Sequence, residues 1–269
     1  MYFRIAYILL IVATIVSCSK ATQEYNDVQI LGHVASGLYN PNQFFPENSL
    51  EAVEYVLSLP EVAGVELDLQ LSEDGDAWLF HDPTLDEKTT GSGTICAHTS
   101  EELSNIHYTT INNESIARLS EVDFSRAVGP KTVFLDIKLG NCVRYFDVYE
   151  RLKSIIDALQ TTYAPEVEFI YIANYDTLTA AFLDEGYMIY RDVTSYEGAL
   201  NMLAIYDVDG FYLRHYQLEK EQVQALQLLG KSVALFEIRS PFTIREALQK
   251  HPDYLLVEDV KSAIVEKFN

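Results

Sequence analysis

The feature that most limits what this chain can fold into is a repeated exchange between two hydrophobic periods. Short runs of strand-forming residues alternate with longer segments whose apolar residues return every three or four positions. Eight such runs are legible: Val28–His33, Val65–Leu69, Thr132–Lys138, Glu168–Ile172, Tyr187–Tyr190, Gly210–Leu213, Ser232–Ile238 and Tyr254–Val257. Helical segments follow them. Asn48, with Glu51 three residues on, predicts a capped helix with an apolar stripe of Leu50, Val53, Val56 and Leu57 that Pro60 closes. Further helices are expected around Ser115–Ala127, through Tyr149, Leu152, Ile156 and Leu159, over Asp176–Glu185, Tyr196–Ile205, Leu218–Leu229 and Phe242–Lys250, and after the last strand. Gly186 and Gly230 stand where helices stop. Eight strand–helix units in 269 residues predict an α/β fold, a (β/α)8 TIM barrel. A doubly wound open sheet is the structural alternative.

The count of eight depends on the second unit. After the Glu66 strand, Glu73-Asp74-Gly75-Asp76 is a tight-turn sequence and Ala77–Phe80 a return strand. A ninth strand in the barrel would spoil its closure, so this β-hairpin is read as an excursion. Residues Pro83–Asn113 show little periodicity and extend the excursion as a long inserted loop, a kind of segment that often carries function.

Strand side chains alternate between faces, so Glu66 and Asp68 share one face while Val65, Leu67 and Leu69 take the other. The hairpin then returns His81 toward Asp68. Barrel chemistry sits at the C-terminal ends of the strands, and the other ends supply His33, Asp136 and Lys138. Three carboxylates around one point repel unless a cation joins them, and an all-oxygen set favours Mg²⁺ or Ca²⁺. Zn²⁺ suits the set less well, because His33 and His81 are better used as general base and general acid for a displacement at phosphorus. Lys138 is placed to meet the same phosphate. Arg191 with Asp192, Arg214 with His215, Glu237 and Glu258 are read as solvated or salt-bridged rim groups, and His98, His107 and His251 carry no assigned role.

Composition narrows the partners. A net charge of −21 disfavours nucleic acid and anionic lipid surfaces. Residues 1–18 read as a lipoprotein signal segment: Arg4 precedes an apolar run too short to span a bilayer comfortably, and Ile15-Val16-Ser17-Cys18 resembles a lipobox. An ordinary secretory signal and a membrane anchor are the other readings. Residues 19–27 form a polar tether and residues 28–269 the barrel, so the expected location is the bacterial cell envelope, lipid-anchored through Cys18, facing periplasm or exterior. Disulfides are permitted there, and whether Cys96 and Cys142 pair stays open.

Together, Gly32-His33, Pro46-Glu47-Asn48-Ser49, Glu66-x-Asp68, Asp74-Gly75 and Phe80-His81-Asp82 resemble the glycerophosphodiester phosphodiesterase family in order and spacing, and Asp136-x-Lys138 is similar to that family's later Glu-x-Lys strand. Beyond Lys138 the likeness is mainly rhythm. The resemblance implies a barrel enzyme that splits glycerophosphodiesters into glycerol 3-phosphate and an alcohol, and the expected substrate is a small glycerophosphodiester or a lysophospholipid. It implies Glu66, Asp68 and Asp136 as metal ligands, His33 and His81 as the acid–base pair, and a cyclic phosphate formed by a substrate hydroxyl. Glu47 and Asn48 match a motif near the family site, although the local sequence reads Asn48 first as a helix cap.

Two departures stand out: Val34 replaces the arginine usual after the first histidine, and Asp136 replaces glutamate. The second, and an apolar residue after Gly-His, are also similar to sphingomyelinase D-type phospholipases. A non-catalytic barrel that binds phosphate esters in the envelope is the alternative from another class. Retention of two histidines speaks against it and the missing arginine speaks for it.

Overall fold

A computed structural model describes residues 25–40, 43–139 and 145–268. The lipoprotein signal segment, Cys18, residues 19–24 of the tether and Cys142 lie outside the described residues. Among the described residues no helix is long and apolar enough to cross a membrane. Cys96 is disulfide-bonded.

Ten strands are present: β1 (Gln29–Gly32), β2 (Gly64–Leu71), β3 (Ala77–Leu79), β4 (Ala117–Arg118), β5 (Lys131–Ile137), β6 (Val167–Ile172), β7 (Ile189–Asp192), β8 (Gly210–Arg214), β9 (Ser232–Ile238) and β10 (Tyr254–Val257). Eight of them pair in parallel in the order β1-β2-β5-β6-β7-β8-β9-β10, and β10 pairs back to β1, closing a TIM barrel. The remaining two leave the barrel: β3 runs antiparallel to β2, with Leu69 opposite Leu79, and β4 pairs with β3. Gly75, at φ +91°, makes the turn that the Asp-Gly step predicts.

Eight α-helices accompany the strands among the described residues: α1 (Leu50–Leu57), α2 (Ser100–Leu103), α3 (Tyr145–Tyr163), α4 (Asp176–Asp184), α5 (Tyr196–Leu203), α6 (Lys220–Leu228), α7 (Pro241–Leu248) and α8 (Val260–Phe268). The expected helix over Ser115–Ala127 does not form. Ala117 and Arg118 pair with β3, and two 3₁₀ turns, Leu119–Glu121 and Phe124–Arg126, follow. Asp123 offers the chain a local alternative to the helix, because its carboxylate accepts hydrogen bonds from the backbone N–H and hydroxyl of Ser125. The inserted loop has a core of its own, with Trp78, Phe80, Leu85, Ile95, Leu103 and Tyr108 packed together.

Two cores result from strand parity. Val65, Leu67, Leu69, Val133, Leu135 and Ile137 point outward and pack under the helices. Leu31, Phe134, Ile170, Tyr190, Tyr212 and Tyr254 point inward and fill the barrel. β2 is buried along its whole length, as a parallel strand covered on both faces must be. Each outward aliphatic contributes about 1.5–3 kcal/mol. That helps to offset the several kcal/mol that each buried acid on the inner face costs.

Candidate active site

Register brings the acids together. β2 and β5 pair so that Asp68 stands beside Asp136, and Glu66 sits one inward position before Asp68. Ligand oxygens of Glu66, Asp68 and Asp136 lie within 4.8 Å of one another, and all three residues are buried. Burial and the charge of Asp68 raise the pKa of Glu66. Burial also raises Asp136, against the pull of Lys138. The Oδ1 of Asp136 has no hydrogen-bond partner among the described residues. Oxygen-only donors, close spacing, repulsion and an open lone pair fit a hard divalent cation. Lys138 Nζ reaches Asp136 Oδ2 at 2.6 Å and Asp68 Oδ1 at 3.2 Å, and its pKa is held up by these acids although burial alone would lower it.

His33 follows β1. Gly32 permits the sharp turn there: a Cβ at this position would lie 2.0 Å from the carbonyl oxygen of Ala35. Val34 and Ala35 then take φ of 45° and 65°, unusual for residues with a side chain. Val34 is fully buried, and its backbone N–H donates to Glu66 Oε2 at 2.9 Å. His33 Nε2 lies 3.8 Å from Glu66, while Nδ1 lies 2.9 Å from Glu258 Oε1. Burial alone would lower the His33 pKa, but the hydrogen bond to Glu258 and the charges of Glu66, Glu258 and Asp68 outweigh it and raise the pKa to about 9.

His81 arrives on the hairpin. Phe80 N–H donates to the carbonyl of Asp68, and Gln70 Nε2 holds the segment by donating to the carbonyls of Phe80 and Asp82 at 2.8 and 2.9 Å. His81 Nδ1 meets Asp82 Oδ1 at 2.7 Å, and Lys88 bridges Asp82 Oδ2 at 3.0 Å to Glu47. Both histidines thus have Nδ1 on a carboxylate, which leaves Nε2 for other work.

All six residues singled out in the sequence, His33, Glu66, Asp68, His81, Asp136 and Lys138, line one cavity of about 250 Å³. A larger groove of about 440 Å³ near Phe44, Phe45 and Tyr55 is lined by none of them.

Three sequence readings change. Asn48 is not the cap of α1; Ser49 is, its hydroxyl accepting from Ala52 N–H. Asn48 instead takes φ 56° and grips Asp68, donating Nδ2–H to Oδ2 at 2.9 Å and accepting from the Asp68 N–H at 3.1 Å. Glu258 is salt-bridged, to His33, but it is not at the rim. It is 2% exposed and also accepts the backbone N–H groups of Leu38 and Tyr39. The signal for it was present in the sequence, since Glu258 is in phase with inward Tyr254, and closure sets β10 beside β1. Arg191 faces the helices and donates to Thr179 and Asp176, whereas its neighbours Asp192 and, on β8, Arg214 line the cavity.

Comparison with known proteins agrees with this geometry. The model of the glycerophosphoryl diester phosphodiesterase family matches residues 36–169. Glycerophosphodiester phosphodiesterase 1 of Bos taurus is 30% identical over 134 residues, 45% of this chain and 40% of the bovine one. A glycerophosphodiester phosphodiesterase of Bacillus altitudinis is 31% identical over 122 residues, 43% of this chain and 49% of the other. The matches thus span less than half the length of either curated relative. The structure of a phosphodiesterase from Oleispira antarctica, in complex with the product sn-glycerol-3-phosphate, superposes with a TM-score of 0.74 at 18% identity, over 88% of this chain and 96% of that one. The match of the family model, with these relatives, places the chain in the glycerophosphoryl diester phosphodiesterase family, and the barrel with its acidic cluster on β2 and β5 agrees with that.

Proposed function

We propose that the protein is a phosphoric diester hydrolase that converts glycerophosphodiesters to glycerol 3-phosphate and an alcohol at a divalent cation. The observation that carries this reading is the pair of histidines, each aligned by a carboxylate, flanking a buried acidic triad in one cavity. Simple binding of a phosphate ester does not require two groups poised to move protons.

Glu66, Asp68 and Asp136 would hold Mg²⁺ or Ca²⁺, and such an ion supplies Lewis-acid polarisation of a phosphoryl oxygen. The remaining work belongs to the chain. His81 Nε2 accepts the proton of the attacking substrate hydroxyl, while Asp82 fixes the tautomer at Nδ1. His33, kept protonated by its acidic neighbours, donates from Nε2 to the departing alkoxide. A cyclic phosphate results, and the same two groups exchange roles when water opens it. Lys138 shares its charge between the acids and the phosphate oxygens.

The test is an assay of purified protein for release of glycerol 3-phosphate from glycerophosphocholine and glycerophosphoethanolamine, and of lysophosphatidate from lysophospholipids, with Mg²⁺, with Ca²⁺ and with chelator. Release that depends on the metal is the expected result. Tight binding without turnover of any of them would favour a phosphate-ester-binding barrel. We also propose the envelope lipid anchor at Cys18, on the strength of the Ile15–Cys18 sequence. Cys18→Ser should release the protein from the membrane fraction, and a wild type already soluble would refute the anchor.

A further inference from the structure

The half of the cavity built by the ends of β7, β8 and β9 carries groups that the phosphoryl chemistry does not use. Asp192 lies at the inward position after Tyr190, and its Oδ1 is buried with no hydrogen-bond partner among the described residues. Arg214 stands on the next strand, where its Nε is ion-paired with Glu237 Oε2 at 2.8 Å, and its side chain lines the cavity. A buried carboxylate oxygen lacking a donor is costly and a guanidinium needs acceptors. A hydroxyl is the group that serves both, and adjacent hydroxyls serve both at once.

A quaternary ammonium would need an open aromatic face. The aromatic rings here are already engaged. Arg214 lies 5.3 Å from the centre of Phe236 and Arg239 lies 4.0 Å from that of Tyr39. Tyr212 and Phe236 stack on each other at 4.1 Å. The carboxylate of Glu237 is shared between the two arginines, at 2.8 and 2.7 Å.

We propose that this half of the cavity receives the alcohol moiety and takes a polyhydroxylated alcohol, such as a second glycerol or a cyclitol, in preference to choline. The inference rests on the glycerophosphodiester reading above and names its substrate class. To test it, kcat/KM is measured with Mg²⁺ for glycerophosphoglycerol, glycerophosphoinositol and glycerophosphocholine. The wild type should favour the two polyol esters by about tenfold or more. Asp192→Ala should lower the polyol-to-choline ratio by about tenfold or more, and Asp192→Asn, which keeps the side-chain shape, should lower it in the same direction. Circular dichroism checks the fold of both variants. A wild type that prefers the choline ester, or variants that lower all three substrates alike, would overturn the subsite. Turnover of none of the three would strike the parent reading and this one together.

Discussion

His33 Nδ1 and Glu258 Oε1 meet at 2.9 Å although 225 residues separate them. The contact exists because the barrel closes, setting the end of the last strand beside the end of the first. It holds the ring against Glu66 and keeps the imidazole charged, and its effect can be measured directly. In metal-free protein, an NMR titration of His33 should give a pKa near 9, and Glu258→Gln should lower it. Because the folded pKa lies above the ordinary 6.5, the stability contributed by the His33 charge is complete below pH 6.5 and lost as pH rises through about 9. The difference in Tm between wild type and Glu258→Gln should therefore shrink over that window. A wild-type His33 titrating near 6.5 would mean that the contact is not made in solution.

The acidic triad should behave as a cation site before any turnover is considered. Isothermal titration with Ca²⁺ or Mg²⁺ should show one site, weakened about tenfold or more by Glu66→Gln, Asp68→Asn or Asp136→Asn. A cation at 100 times its Kd should stabilise the fold by about 2.7 kcal/mol. Unchanged Tm with either metal would count against the site.

Asn48 and Ser49 are neighbours with separate jobs. Ser49→Ala removes the α1 cap and should cost about 0.5–2 kcal/mol with turnover retained. Asn48→Ala removes both hydrogen bonds to Asp68 and should lower metal affinity as well as stability, by about 10–100-fold for the metal. Denaturant melts and metal titrations of the two variants separate these outcomes, and equal metal affinity in both would show that Asn48 does not position Asp68.

Lys138 and Arg191 also divide. Lys138→Ala should lose about 10²–10³ in kcat, since it removes a preorganised charge from a site where Val34 offers no donors beyond the backbone. Arg191→Ala should leave turnover in place and cost about 1–3 kcal/mol through its lost bonds to Thr179 and Asp176. A loss below about threefold at Lys138 would direct attention to Arg214, whose guanidinium lines the cavity.

What the sequence determined by itself is what short-range geometry controls. Alternation along one strand sets Glu66 and Asp68 on one face and Val65, Leu67 and Leu69 on the other, whatever the rest of the chain does. The Asp74-Gly75 turn fixes where the hairpin reverses, and so where His81 returns. Helical periodicity and repeated units were enough for the barrel. Contacts that depend on closure and register were decided only in three dimensions. Asp68 beside Asp136 is a matter of strand register, and Glu258 on His33 a matter of which strands become neighbours. Asn48 looked like a cap because the same side chain can serve a backbone N–H or a distant carboxylate, and the choice lay with β2 packing against the loop before α1. Residues 115–127 had helical spacing, yet pairing with β3 and the Asp123–Ser125 turn offered their backbone other hydrogen bonds. Sequence spacing limits which side a group faces, while the identity of its partner depends on strands brought together across the whole chain.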